Sequence, residues 1–276
     1  MYQGPKDDQG TAGPYGAGIS RQQLEFVENY LKTVPRDRLI VLAMHIPFES
    51  PPHSVAERSA LFEILKDRPH TVSLAGHTHY QENRFYGPDE GFAGPQPHHQ
   101  LTHATASGSW WLGADDEVGI PHATMRCGAP NGYSIIQFDG HRYSIRFKAA
   151  RRSADHQMNI FAADATAAEA AAEAEILVNV FSGSERTRVE MRLGQAGDWV
   201  PLRREAREDP YYLAAIERDL QRNPQPRFFL PPAIESPHLW VGTLPPNPPT
   251  GTHTLEVRAT DMYGQVFYAR HVIRIE

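Results

Sequence analysis

Three histidines follow two apolar segments that have the length and composition of buried strands. His45 comes directly after residues 38–44 (RLIVLAM), and His77 and His79 come after residues 70–75 (HTVSLA). Imidazole nitrogens bind zinc, manganese and iron in proteins, and the geometry of the site selects among these metals. An isolated histidine at a strand end is usually a hydrogen-bonded structural residue. The spacing His-x-His, with a further histidine after the preceding strand, favours a metal site instead.

The histidine content agrees with this interpretation. The 276 residues include 14 histidines, and nine of them fall between His45 and His122. The sequence contains no G-x-S-x-G motif, no P-loop and no G-x-G-x-x-G motif that would indicate a different chemistry. We therefore expect His45, His77 and His79 to be metal ligands.

The elements before and between the histidines predict an α/β fold. Ser20 with Gln23, and Ser54 with Glu57, have the spacing of capping boxes, and each pair precedes an apolar periodicity typical of a helix. The order helix–strand–helix–strand indicates parallel strands buried on both faces. Ligands bind at the carboxyl ends of such strands. Gly76 is expected to let the backbone turn sharply there.

The rest of the chain is expected to be mainly β. Residues 80–100 lack periodicity and predict an ordered loop, and residues 103–111 predict a strand. A hairpin is predicted around Asp139 and Gly140. A helix is expected over residues 208–221, entered through Asp209 and Pro210. Short strands near the C-terminus are typical of an immunoglobulin-like sandwich.

These patterns divide the chain into four parts. Residues 162–175 are rich in alanine and glutamate, and such low-complexity composition favours a linker or a short surface helix. The predicted parts are a coil (1–19), part of an α/β domain (20–152), a linker (153–175) and the immunoglobulin-like domain (176–276).

Composition excludes several classes of protein. The chain has 27 Lys and Arg against 33 Asp and Glu, a net charge of −6, so the basic footprint of a nucleic-acid-binding protein is absent. The single cysteine, Cys127, rules out an internal disulfide and a cysteine-rich zinc finger. No apolar run reaches the ~20 residues of a transmembrane helix, and we expect no signal peptide in the chain as given.

Two motifs carry a resemblance to a known family. MHIP (44–47) and GHTH (76–79) resemble the last two metal motifs of calcineurin-like metallophosphoesterases. Further segments are similar to the bacterial subgroup with a dedicated C-terminal domain, namely SGSWW (107–111), GIP (119–121), PNGY (130–133), DPYY (209–212), HLW (238–240) and GTHTLEVRATD (251–261). The resemblance covers nearly the whole chain from residue 16.

The resemblance implies a phosphoesterase with two divalent metal ions, Mn, Fe or Zn. His45 and His77 would bind one ion and His79 the other, and a metal-bound water would attack the phosphorus of a small phosphate mono- or diester. Full-length relatives of this kind are expected to be exported. Trp110 and Trp111 are weaker candidates for substrate contact.

Two earlier motifs of the family, G-D-x-x-D and G-N-H-D/E, do not occur in this sequence. D-x-H occurs once, as Asp139-Gly140-His141 in the predicted hairpin, and not before the first helix, where the family places it. The chain is therefore expected to correspond to the C-terminal half of such an enzyme, to lack a catalytic residue, to hold metal weakly or not at all and to be inactive alone. The alternatives are a non-catalytic module whose β-sandwich binds a glycan, lipid or protein, or a half-enzyme completed by another polypeptide.

Two further groups of polar residues are expected to have no role in the site. The acidic run from Asp115 to Glu117 reads as a solvated loop. His98 and His99 are expected to be exposed.

Overall fold

A computed structural model describes residues 2–3, 15–49, 55–103, 105–195 and 197–276. Ser54, predicted to cap the second helix, and most of the predicted coil 1–19 lie outside the described residues. The described parts of that coil form two short antiparallel strands, Tyr2–Gln3 and Tyr15–Gly16.

The elements up to residue 149 are β1 (Tyr2–Gln3), β2 (Tyr15–Gly16), α1 (Arg21–Lys32), β3 (Ile40–Ala43), α2 (Val55–Leu65), β4 (Thr71–Ala75), β5 (Glu82–Tyr86), β6 (His98–Thr102), β7 (Gly132–Asp139) and β8 (Arg142–Ala149). The later elements are β9 (Met158–Phe161), β10 (Ala165–Thr166), β11 (Glu175–Val180), β12 (Arg188–Leu193), β13 (Val200–Pro201), β14 (Arg203–Arg204), β15 (Arg207–Glu208), α3 (Pro210–Gln221), β16 (Glu235–Ser236), β17 (Leu239–Thr243), β18 (Gly251–Thr260) and β19 (Val266–Ile275). Short 3₁₀ helices cover Pro88–Glu90 and Ala168–Glu173.

The chain folds into two compact units whose segments alternate along the sequence. Unit 1 comprises Met1–Thr78, Asn83–His103 and Ile136–Ser144, and unit 2 comprises His79–Glu82, Ala104–Ile135 and Ile145–Glu276. These boundaries differ from the division expected from composition, which placed a linker at residues 153–175. That range contains β9 and β10, which pair with β11 and β19. Ala171, in the predicted linker, is fully buried in the core of unit 2.

Unit 1 contains a four-stranded sheet of order β3-β4-β6-β5, in which β3, β4 and β6 run parallel. The predicted capping box of α1 is present, with Ser20 accepting from Gln23 N and Gln23 Oε1 accepting from Ser20 N. Apolar residues of α1, α2 and the sheet form one core, which includes Leu31, Phe62 and Leu65.

The prediction that both apolar strands are buried on two faces is correct for β4 and wrong for β3. All but one residue of β4 are buried, whereas β3 alternates between half-buried and exposed residues, and Val41 is 40% exposed. β3 lies at the end of the described sheet, with β4 as its one described neighbour. Composition alone cannot show whether an apolar strand lies at the centre or at the edge of its sheet.

The predictions for residues 80–111 are also wrong in part. The expected loop 80–100 contains β5 and the start of β6, and residues 103–111 form turns rather than a strand in their described part. β6 carries the polar sequence HHQLT, which lacks the alternation or the apolar run by which strands are recognised.

Unit 2 is mostly β. Its larger sheets have the orders β10-β19-β18-β12-β13 and β14-β17-β11-β9, and one hydrophobic core draws residues from both. The helix expected over 208–221 is present as α3, and Asp209 caps it by accepting from Tyr212 N. Among the described residues, no helix is long and apolar enough to cross a membrane.

Candidate metal centre

His45 and His77 meet at the carboxyl ends of two parallel strands. β3 and β4 pair in register, from Ile40 with Thr71 to Ala43 with Leu74. Beyond the strands, Gly76 N donates to His45 O at 2.9 Å. His77 Nδ1 then lies 3.3 Å from His45 Nε2, with the two rings edge to face. The parallel pairing thus brings together two residues that are 32 positions apart in the sequence.

The distance of 3.3 Å between the two nitrogens is that of a hydrogen bond between the rings, and it also fits two ligands on one ion. Zinc–nitrogen bonds of about 2.0–2.1 Å at the tetrahedral angle separate the nitrogens by about 3.3–3.4 Å. Structural zinc takes four protein ligands, however, and catalytic zinc takes three. In the described parts of the chain, no group of three or more His, Cys, Asp or Glu residues could hold a metal ion. His45 and His77 therefore fit part of a coordination sphere, not a complete one.

His79 is held by contacts within unit 2. Its Nδ1 lies 2.6 Å from Gly108 O, and its ring stacks on Trp110 with centroids 3.9 Å apart. Because a carbonyl oxygen can only accept, Nδ1 donates and the neutral ring keeps its lone pair on Nε2. Metal-binding histidines are commonly oriented by such a bond from the other ring nitrogen to a backbone carbonyl. His79 is thus fixed in a tautomer that can bind an ion.

The turn after β4 is made by the histidines themselves. His77 and His79 have φ values of 71° and 56°, in the left-handed region, whereas Gly76 does not. The expectation that Gly76 supplies the conformational freedom is therefore wrong. Left-handed backbone at a residue other than glycine costs of order 1–3 kcal/mol and is concentrated at functional sites. The same conformation occurs at Trp110 and Trp111.

Trp110 and Trp111 lie in turns, not in the strand that the sequence predicted over residues 103–111. Their φ values are 51° and 62°, and the side chains are 49% and 43% exposed. In a strand, adjacent side chains point to opposite faces, so one of the two rings would face the core. Both residues instead have left-handed backbone, and neither ring is buried. The ring of Trp110 stacks on that of His79, as described above.

His98 and His99 are buried, not exposed as expected. His98 bonds to the hydroxyls of Thr71 and Ser73 at 2.8 and 2.9 Å, while His99 contacts Asn83 and Tyr143. Burial lowers the pKa of His98 to about 4. Both ring nitrogens of His98 are therefore committed to structural contacts in a neutral ring.

The acidic loop contributes to a separate cleft in unit 2. This cleft has a volume of about 930 Å³, and its walls include Asp115, Asp116 and Glu117 together with four arginines, Arg151, Arg152, Arg218 and Arg222. These arginines were not predicted from the sequence as residues of a site. Two signals were available in the sequence. One is the Arg-Arg pair at 151–152, one residue beyond the end of β8, and the other is the spacing of four residues between the two arginines at the end of α3.

The segments that resemble the bacterial subgroup make structural contacts. Asn179 donates to Cys127 O and to Asp209, both at 2.8 Å, and its Oδ1 lies 2.7 Å from His238 Nδ1. Burial raises the pKa of Asp209 and lowers that of His238 to about 3. The DPYY and HLW segments thus join α3, β11 and the chain around Cys127 in one buried hydrogen-bonded network.

The chain thus contains a β-rich unit and a parallel sheet whose strand ends carry histidines. The sequence model of one family, the C-terminal domain of calcineurin-like phosphoesterases, matches residues 100–267. This match covers more than half of the chain, so the protein belongs to that family. The resemblance inferred from the motifs is thereby confirmed, including its restriction to the C-terminal part of such proteins.

Other comparisons give weaker similarities. None of the curated proteins matches the chain. Among solved structures, CopC from Methylosinus trichosporium OB3b is 11% identical, with a TM-score of 0.23 over 43% of this chain and 89% of that one. A superoxide reductase (neelaredoxin) from Ignicoccus hospitalis is 16% identical, with a TM-score of 0.25 over 44% of this chain and 81% of that one.

Proposed function

We propose that the chain is the C-terminal part of a dinuclear-metal phosphoesterase that hydrolyses phosphate mono- or diesters. The observation that supports this most directly is the pair formed by His45 and His77, whose nitrogens lie 3.3 Å apart at the carboxyl ends of parallel strands. Membership of the phosphoesterase family supports the same assignment. In this proposal His45 and His77 share one ion, and His79 binds the second.

The chain's own residues would orient the ligands and contact the substrate. Divalent ions, when bound, would offset phosphoryl charge and acidify a water molecule. Gly108 O keeps the proton of His79 on Nδ1, which leaves Nε2 as the donor atom for the metal. Trp110 covers one face of that imidazole, and Trp111 is exposed beside it for contact with a substrate. No residue is assigned as the catalytic acid or base.

Calorimetric titration with Zn²⁺ and Mn²⁺ tests the metal assignment. We expect weak binding by the wild type and no detectable binding by His45→Ala or His77→Ala, because either change leaves one imidazole. His141→Ala is the matched control, since His141 also belongs to unit 1 but stacks on His70. Equal affinities for the wild type and His77→Ala would refute the assignment. Hydrolysis of p-nitrophenyl phosphate by the chain alone should stay at the level of the His77→Ala variant.

A non-catalytic binding module is the second candidate. It is favoured by the incomplete set of metal ligands within the described residues. In this reading the two sheets of unit 2 form the immunoglobulin-like sandwich expected from the sequence, and that sandwich binds a glycan, lipid or protein. Metal content separates the two candidates, because the binding module needs no ion at His45 and His77.

A further inference from the structure

The cleft in unit 2 contains charges that the proposed metal chemistry does not use. It is bounded by the chain around Asp115 and Asp116, by the turn that follows β8 and by the end of α3. Its volume of about 930 Å³ lies in the upper part of the range of about 300–1,000 Å³ typical of small-molecule sites. Every wall of the cleft belongs to unit 2.

One buried carboxylate of the cleft, Asp116, is already neutralised by the protein. Asp116 accepts from the backbone N–H groups of Val118 and Ile120 and pairs with Arg151 at 2.9 Å. These bonds and the nearby arginines lower the pKa of Asp116 against the effect of its burial. A carboxylate with this many partners has little remaining charge to repel an anion.

Asp219 is hydrogen-bonded as well, but by neutral groups, so it keeps its negative charge. It accepts from Ala114 N at 2.9 Å and lies 3.3 Å from His122 Nε2. Thr124 N donates to His122 Nδ1, so the proton of the neutral ring is on Nε2 and points to Asp219. Both groups thus hold the wall of the cleft together.

Two arginines of the cleft have no such counter-charge. Arg218 lies in the last turn of α3 with its guanidinium 5.8 Å from the ring centroid of Tyr211, and Arg222 donates to the backbone carbonyl of Asp115. Within the described parts of the chain, neither arginine forms an ion pair with a carboxylate. Burial lowers the pKa of His122, and Asp219 acts in the opposite direction. The end of α3 thus brings two guanidinium groups and the one carboxylate of Asp219 to the cleft, an excess of one positive charge.

We propose that this cleft binds the phosphate group of a small phosphorylated molecule, with Arg218 and Arg222 as its anchors. Guanidinium groups bind phosphate oxygens through paired, charge-assisted hydrogen bonds, and a phosphate has enough oxygens for two arginines at once. Asn159 and Thr124 offer neutral polar groups for hydroxyls of the organic part, and Tyr211 offers an aromatic face.

The site is independent of the histidines at the strand ends, so its test excludes metal. Binding is measured by calorimetry in the presence of a chelator and at constant ionic strength. The probes are inorganic phosphate, glucose 6-phosphate and adenosine 5′-monophosphate, with glucose and adenosine as controls without phosphate. The variants Arg218→Gln and Arg222→Gln each remove one charge-assisted pair of hydrogen bonds, so each should weaken binding of the phosphate esters about tenfold or more.

The matched controls are Arg188→Gln and Arg203→Gln, which remove exposed arginines outside the cleft, with side chains 71% and 73% exposed. These variants should bind as tightly as the wild type. Esters that bind more tightly than inorganic phosphate would identify an organic ligand, and equal affinities would identify free phosphate.

Three results would overturn the proposal. The first is the absence of saturable binding of all three probes, and the second is equal weakening by the cleft and control variants. The third is an unchanged affinity of Arg218→Gln and Arg222→Gln with a lower melting temperature. That result would assign both arginines to stabilisation of the helix C-terminus.

Discussion

The carbonyl of Gly108 orients His79, and its position depends on a backbone conformation that suits glycine. Gly108 has a φ of 51°, and a Cβ added there would lie 1.8 Å from Ala123 O. Gly140 also has a positive φ, of 60°, but no atom lies within 4 Å of the corresponding position. Alanine substitutions at these two positions therefore distinguish the cost of backbone strain alone, at Gly140, from the cost of strain with a steric clash, at Gly108.

We predict that Gly108→Ala destabilises the protein by about 3 kcal/mol or more, because strain and overpacking add. Gly140→Ala should cost about 1 kcal/mol, since strain acts alone there. Urea unfolding measures both values. Tryptophan fluorescence should also change in Gly108→Ala, because Trp110 stacks on the histidine that Gly108 O holds. Equal losses of stability in the two variants would contradict the close contact with Ala123.

At the scale of elements, β6 joins the sheet of unit 1 through buried histidines. His98 bonds to the Thr71 and Ser73 hydroxyls of β4, and burial holds its pKa at about 4, below the ordinary value of 6.5. The unfolded chain therefore binds a proton more readily than the folded chain between these two values. The contribution of neutral His98 to the free energy of unfolding is therefore fully present above pH 6.5 and is lost as the pH falls toward 4.

We predict that His98 alone contributes up to about 3 kcal/mol to this acid destabilisation, at 1.36 kcal/mol per pKa unit. Urea unfolding at several pH values between 7 and 4 measures the slope. His98→Gln should be less stable at pH 7 but show a shallower loss on acidification. His141→Gln, at an exposed residue of the same unit, is the control for the loss of one imidazole. A wild-type slope in His98→Gln would show that His98 is not the titrating group.

The outcome at β6 also shows what sequence patterns can reveal about elements. The two helices of unit 1 follow from capping residues and apolar periodicity, β4 follows from a short apolar run, and α3 follows from its entry through Asp209 and Pro210. All of these are local signals. β6 is buried although it begins His-His-Gln, because hydroxyl, amide and carboxylate groups on neighbouring segments satisfy those side chains. Such partners are set by tertiary structure, so a polar buried strand has no local signature.

The histidine pair and the arginine cleft also differ in how far they could be predicted from local sequence signals. His45 and His77 could be paired from the sequence, because consecutive parallel strands end at the same edge of a sheet. The arginines of the cleft could not, since Arg151 and Arg218 come from distant segments that only the folded unit 2 brings together. The left-handed conformation of His77 and His79 could not be predicted either, because histidine does not require a positive φ.

At the scale of the whole molecule, the core of unit 2 includes residues that precede the predicted linker. Phe181 packs in one buried cluster with Met125, Cys127 and Phe147, and its ring centroid lies 6.0 Å from that of Phe147. Gln157 donates to Phe147 O at 2.7 Å. A fragment that begins after the apparent break in composition would therefore expose part of this cluster.

We predict that the fragment 104–276 unfolds cooperatively and that the fragment 155–276 is less stable by about 3–5 kcal/mol, the usual cost of emptying a buried aromatic site. The shorter fragment lacks the cluster partners of Phe181 and the carbonyl of Cys127 that accepts from buried Asn179, and an unpaired buried amide adds to the loss. Urea unfolding of both fragments measures the difference, and limited proteolysis of the intact chain provides a second test. Cleavage within 153–175 that leaves a C-terminal fragment as stable as 104–276 would instead support a domain boundary in that segment.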